Sequence, residues 1–127
     1  MMESLRIEPT KSTPEINFDP AAGRLLIKGE SYPENSIKFY KPLIEKLEEY
    51  SGQINDKLVV NISLTYLNTS SIKAIMNILD IIDDAYQKGK DVEINWYYES
   101  DNEILYETAL EFNSFFDIDI RLIPELL

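Results

Sequence analysis

Leu58 to Tyr86 reads LVVNISLTYLNTSSIKAIMNILDIIDDAY, and its periodicity changes once along the way. From Leu58 to Tyr66 apolar and polar residues alternate as in a strand. Val60, Ile62, Leu64 and Tyr66 point one way, and Val59, Asn61, Ser63 and Thr65 the other. From about Ser70 to Gln87 the period becomes helical. At about 100° per residue, Lys73, Asn77, Asp80 and Asp84 fall in one narrow polar arc. Ile72, Ala74, Ile75, Ile78, Leu79, Ile81, Ile82, Ala85 and Tyr86 fill roughly half the circumference, wider than a single stripe of about 100°. Met76 stands at the margin. A helix of this kind sits between a sheet and a neighbouring helix, or keeps part of its apolar face for a partner; the first is the expectation. Between strand and helix lies the polar turn Asn68-Thr69-Ser70-Ser71. It puts three hydroxyls where backbone N–H groups lack helical acceptors and the helix dipole favours negative charge.

Upstream, Leu5–Glu8, Glu15–Phe18 and Arg24–Lys28 read as short strands. The last two are separated by a turn suited to a hairpin, and Gly29 closes the third. Ser31-Tyr32-Pro33-Glu34 resembles a helix start, with proline early and an acid in the first turn. Ile37, Tyr40, Leu43 or Ile44, Leu47 and Tyr50 follow at helical spacing to Ser51-Gly52, and Pro42 predicts a kink or fresh start near Tyr40. Downstream, Lys88-Gly89-Lys90 closes the long helix. Val92–Tyr98 alternates, Asp101–Phe116 is a third helix, and Ile118–Leu122 a last strand.

The order is therefore β-β-β-α-β-α-β-α-β, an α/β domain with a mixed sheet, spanning 1–127 as one unit. Parallel strands covered on both faces are apolar throughout. These alternate, which predicts two layers: about three helices on one face of the sheet, and the other face largely open and polar.

Composition removes several kinds of chemistry. Among 127 residues there is no cysteine and no histidine, so thiolate and imidazole nucleophiles, bases and metal ligands are all absent. A count of 12 Lys and Arg against 23 Asp and Glu gives a net charge of −11, which disfavours nucleic acid and anionic membranes and suits a partner with a basic patch. The N-terminal stretch has no signal-peptide pattern, and the apolar run Ile72–Ile82 is interrupted and too short for a bilayer, so a cytoplasmic protein is expected.

The remaining motifs are thin. Ser70-Ser71-Ile72-Lys73 matches the S-x-x-K nucleophile motif of β-lactamases, but without the Ser-Asp-Asn and Lys-Thr-Gly elements it is a chance match. Asp80, Asp83 and Asp84, with Asp56 or Asp91, lack the loop of alternating oxygen ligands that a hard cation needs. Four scattered glycines form no phosphate-cradling loop. No catalytic residue, cofactor or metal site is assigned. The Asn-Thr-Ser-Ser turn has two readings. In one, Thr69 or Ser70 is a helix N-cap worth about 1 kcal/mol. In the other, a hydroxyl accepts phosphate, adding about −1.5 to −2 charges at a point where amides and dipole tolerate them.

The strand, turn and helix resemble the STAS fold of anti-sigma factor antagonists, with Asn68 at the place of that fold's Asp and Thr69 at its phosphorylated Ser. A closer resemblance runs along nearly the whole chain. Lys11–Glu15, Phe18-Asp19-Pro20, Gly29–Asn35, Phe39–Leu43, Tyr66–Lys73 and Asn95-Trp96-Tyr97-Tyr98 resemble, in order and spacing, the SiaC family of bacterial regulatory phosphoproteins. The resemblance implies a non-enzymatic partner-switching protein, phosphorylated on a turn threonine by a dedicated kinase and dephosphorylated by a PP2C-type phosphatase. Its unphosphorylated form would bind and activate a diguanylate cyclase, raising cyclic-di-GMP and affecting biofilm formation. Thr69 is the phosphorylation site carried over, with Asn68, Ser70, Ser71 and Lys73 as its partner-binding frame. An unmodified STAS-type interaction module is the alternative, and a small carboxylate-dependent hydrolase a third.

Overall fold

Apolar alternation within each strand becomes a continuous apolar sheet face only if the strands are in register, and they are. The computed structural model describes residues 3–53 and 56–125; residues 1–2, 54–55 and 126–127, which the one-domain reading also takes in, lie outside the described residues. The elements run β1 (Leu5–Ile7), β2 (Glu15–Asp19), β3 (Arg24–Ser31), α1 (Ser36–Ser51), β4 (Leu58–Leu67), α2 (Thr69–Gln87), β5 (Val92–Glu99), α3 (Glu103–Ser114) and β6 (Ile120–Glu125). The strands form one sheet in sequence order, antiparallel from β1 to β3 and parallel from β3 to β6. Three β-α-β crossovers of the same hand, all progressing in one direction, place α1, α2 and α3 on one face.

Two rows of cross-strand partners build that face. Phe18, Leu25, Val60, Ile94 and Ile120 make one; Ile16, Ile27, Ile62, Trp96 and Leu122 make the other. All are buried except Leu122, which packs against the core half-buried. The row between them is Asn17, Leu26, Asn61, Asn95 and Arg121, which faces the opposite side. There Asn95 donates to Asn61 at 3.1 Å and to Glu93 at 2.9 Å. That hydrogen bond, with Lys57 at 2.9 Å, holds the Glu93 carboxyl below its ordinary range. The two-layer mixed α/β fold with a polar open face is the one the alternation predicts.

Local structure departs from the sequence expectations at several points, each for a visible reason. Gly29 does not end β3. It takes φ +132° at a register shift, and the strand continues to Ser31. A side chain at position 29 would press on the Pro14 Cα at 3.3 Å. Ser31–Glu34 is consequently not a helix start; Asn35 caps α1 by accepting from the Lys38 N–H at 3.0 Å. Helix α1 runs unbroken through Pro42. Pro42 and Lys38 are both exposed, so the carbonyl that proline leaves without a donor belongs to the solvent side.

Because the same register shift inserts an extra residue into β4, Glu30 pairs with Tyr66 and Ser31 with Leu67, and both Thr65 and Tyr66 are exposed. The expected inward side chain of Tyr66 is thus turned out. The last strand starts at Ile120 instead of Ile118, because the Ile118 N–H donates to Asp83 on α2 at 2.8 Å and the Ile120 N–H to Asn113 at 2.8 Å. Helix α3 is correspondingly shorter at both ends than Asp101–Phe116. At the end of α2, Gly89 adopts φ +90°, its N–H reaching the Tyr86 carbonyl at 3.0 Å and that of Lys90 reaching Ala85 at 3.1 Å. Those two bonds close the helix as a Schellman turn.

Candidate functional site: the turn into helix α2

The turn lies where β3, α1, β4 and α2 meet, and a buried chain of hydroxyls holds it. Ser31 Oγ donates to Ser71 Oγ at 2.7 Å, and Ser31 and Tyr40 share a bond of 2.6 Å. Ser36 Oγ lies 3.2 Å from Ser71 and 2.7 Å from Ser70, and Ser70 donates to Asn68 Oδ1 at 3.2 Å. One proton order satisfies every group: Tyr40 to Ser31, to Ser71, to Ser36, to Ser70, to Asn68. Ser31, Ser36, Tyr40 and Ser71 are all buried. Burial outweighs the Ser31 hydrogen bond and pushes the Tyr40 phenol up to about 12, so it stays protonated and can start the chain.

Asn68, not Thr69 or Ser70, is the N-cap: its Oδ1 accepts from the Ser71 N–H at 2.9 Å. Its Nδ2 donates to the Pro33 carbonyl at 3.4 Å, and its own N–H to the Ser31 carbonyl at 3.0 Å. The turn is therefore held to the segment between β3 and α1 from side chain and backbone together.

The three hydroxyls of the turn are thereby distinguished. Ser71 is buried and committed to Ser31 and Ser36; Ser70 is exposed but committed to Ser36 and Asn68. Thr69, the first residue of α2, is exposed, and among the described residues its hydroxyl makes no hydrogen bond. The first turn of α2 holds no acidic residue, and the capping side chain is a neutral amide. Lys73 is exposed one turn on, at the i+4 position that shares a helix face with Thr69. A phosphate on Thr69 would meet a positive helix end, a neutral cap and a lysine within a turn.

Apolar surface adjoins it. Ile72 is exposed, and a hollow of about 290 Å³ lies between it, Tyr66 and Leu67 on one side and Ile104, Leu105 and Thr108 of α3 on the other. Thr69 precedes Ile72 by three residues on α2, so the threonine neighbours, on the same side of the helix, one of the residues that line this hollow. The broad apolar arc of α2 is thus divided. Ala74, Ile75, Ile78, Leu79, Ile82 and Ala85 are buried, while Ile72 and Tyr86 stay exposed.

The sequence-selected residues Asn68, Thr69, Ser70, Ser71 and Lys73 are together on one turn and a half of helix. Ser31, Ser36 and Tyr40 belong to the same site and escaped notice. The only signal for them was a run of small polar residues just before an amphipathic segment, which read as helix-start chemistry. The acidic residues of α2 have ordinary roles: Asp83 accepts from Ile118 and Gln87, and Asp84 pairs with Lys88 at 2.9 Å.

A mixed α/β domain with one exposed hydroxyl free of hydrogen bonds at a strand-to-helix turn, set beside exposed apolar side chains, has the features of a signalling domain of the phosphoprotein type. Residues 7–125 match the model of the SiaC family regulatory phosphoprotein, and the chain belongs to that family. An uncharacterized protein of Pseudomonas aeruginosa (strain UCBPP-PA14) is 44% identical over 111 residues, covering 87% of this chain and 88% of its own. The fold is similar to the crystal structure of apo-SiaC from Pseudomonas aeruginosa, with a TM-score of 0.89 and 39% identity over 96% of this chain and 99% of that one. It is also similar to a chain in the crystal structure of the diguanylate cyclase SiaD in complex with its activator SiaC from the same organism. There the TM-score is 0.91 with 40% identity, covering 95% and 99% of the two chains.

Proposed function

We propose that this protein is a single regulatory domain that binds and activates a diguanylate cyclase when Thr69 is unmodified, and releases it when Thr69 is phosphorylated. The observation that carries the reading is the free, exposed Thr69 hydroxyl at the head of α2 in a chain of the SiaC family. Solved structures of similar proteins include a cyclase–activator complex, which supports a cyclase as effector. The direction of the switch follows from the apolar stripe of Ile72 and Met76: an interface there would have to desolvate a phosphate dianion at its edge. The domain is a cytoplasmic signalling partner with no catalysis of its own, modified by a dedicated kinase and restored by a PP2C-type phosphatase. Among the described residues no helix is long and apolar enough to cross a membrane.

The test is to incubate the protein with the kinase of its own genome and ATP, map the phosphate by mass spectrometry, and measure cyclase binding and turnover. Phosphate on Thr69, no labelling of Thr69→Ala, and loss of cyclase activation on phosphorylation are expected. Unchanged labelling of Thr69→Ala would remove this residue from the mechanism. Ile72 and Ile104 are exposed beside the turn in the unmodified protein, which favours an unmodified interaction module as the second reading. Equal cyclase binding by wild type, Thr69→Ala and Thr69→Glu would select it.

A further inference from the structure

Exposure does not tell Thr69 from its neighbour. Ser70 is exposed as well, and its primary alcohol is the less hindered of the two. What separates them is hydrogen bonding. Ser70 Oγ is engaged twice: it lies 2.7 Å from Ser36 Oγ, and it donates its own proton to Asn68 Oδ1 at 3.2 Å. The Thr69 hydroxyl makes no such bond among the described residues. Ser36, the buried first residue of α1, links the interior to the turn, because its Oγ also lies 3.2 Å from Ser71 Oγ. Ser31 donates to Ser71 and Ser70 donates to Asn68, so the protons between them run one way. Ser71 donates to Ser36, and Ser36 donates to Ser70.

We propose that Ser36 is a positioning residue for phosphorylation of this turn: it occupies the Ser70 oxygen from the side of α1, withholds Ser70 from the kinase and leaves Thr69 as the acceptor. The proposal rests on the Thr69 reading above and adds how the acceptor is selected. In the transfer a hydroxyl oxygen attacks the γ-phosphorus of ATP and the bond from that phosphorus to the bridging oxygen breaks. ADP leaves, and the hydroxyl proton passes to a base of the kinase. Both parts of that step are obstructed at Ser70. One lone pair of its oxygen is taken by the Ser36 proton, and its own proton is directed to Asn68 instead of outward. Neither bond has to be broken at Thr69. At a net factor of about five for one neutral hydrogen bond, the two together disfavour Ser70 by roughly twenty- to thirtyfold. A phosphate on Ser70 would also have to fit against Ser36, 2.7 Å from the oxygen that carries it.

The probe is the kinase of the same genome with ATP, and the readout is the share of phosphate on each turn residue, mapped by mass spectrometry. Wild type should carry phosphate on Thr69, with Ser70 at background. In Ser36→Ala the Ser70 share should rise at least fivefold over wild type. Ser36→Ala combined with Thr69→Ala should be labelled on Ser70, where Thr69→Ala alone is not. Asp83→Ala removes a buried acceptor at the other end of α2 and should keep the wild-type distribution, which separates the effect of Ser36 from lowered stability. If Ser36→Ala fails to fold, Ser36→Cys, which fills the same space with a weaker donor, carries the same test. Phosphate confined to Thr69 in the Ser36 variants, or an equal shift in Asp83→Ala, would overturn the assignment of Ser36 while the Thr69 switch stands. A shifted label together with cyclase activation that phosphate does not affect upholds Ser36 and removes the switch. Wild type labelled on Ser70 in place of Thr69, or on neither, overturns both.

Discussion

Ser31 Oγ donates to Ser71 Oγ across 2.7 Å, joining the last residue of β3 to the first turn of α2 over a sequence separation of 40. Neither residue touches solvent. The bond consumes one of the three turn hydroxyls and fixes the helix start against the sheet, so that Thr69 is presented by a rigid frame. Removing the Ser71 hydroxyl should leave buried partners short of a bond and cost about 1–3 kcal/mol. Thr69→Ala, which takes away an exposed group, should change stability by less than about 0.5 kcal/mol. Urea denaturation of the two variants side by side checks the contrast.

Asn68 matters through its charge as well as its cap. Asn68→Ala should cost about 1 kcal/mol, the usual loss of an N-cap. Asn68→Asp keeps the Oδ1 cap and adds a favourable charge at the helix N-terminus, but it gives up the amide donor to the Pro33 carbonyl, so the unphosphorylated variant should melt close to wild type. With phosphothreonine installed at 69 the Asp variant should melt clearly below the Asn protein, because two anions then share one turn. Melting temperatures of the four species decide the matter.

Tyr40 makes stability depend on alkaline pH. Its folded pKa is raised to about 12 from the ordinary 10.0, through burial. Below about 10 both folded and unfolded chains keep the phenolic proton and the contribution is intact. Between the two values the unfolded chain loses its proton first, so stability falls as pH rises, by roughly 2–3 kcal/mol at most. Denaturant titrations at pH 8 and pH 11 should show a smaller alkaline loss for Tyr40→Phe than for wild type.

Asp83 is a buried carboxylate with a structural task, accepting from the Ile118 N–H and the Gln87 side chain at 2.8 Å each. Asp83→Ala strands a buried amide and should cost about 1–3 kcal/mol. Phosphorylation at Thr69, at the other end of α2, should proceed as in wild type. Chemical denaturation and a kinase assay on the same preparation test both halves.

The element order and the open polar face were legible because strand alternation and helical period are local properties, and Val60, Ile62, Ile94 and Trp96 obey them without exception. The errors cluster around one non-local event. The register shift at Gly29 carries β3 on to Ser31 and turns Tyr66 outward, and it depends on how two strands pair, which neither strand specifies alone. Pro42 failed as a breaker because a helix held by tertiary packing tolerates one missing hydrogen bond on its solvent side.

For the functional turn the division is sharper. By itself the sequence determined that a strand ends and a helix begins at Asn68-Thr69-Ser70-Ser71, that cysteine and histidine chemistry is absent, and through its motifs the family to which the chain belongs. Only the tertiary structure decided why three neighbouring hydroxyls are not equivalent. Ser31, Ser36 and Tyr40 are far from the turn in the chain, and folding brings them to Ser70 and Ser71 while leaving Thr69 untouched. A hydroxyl's availability depends on which partners reach it, and those partners are set by packing.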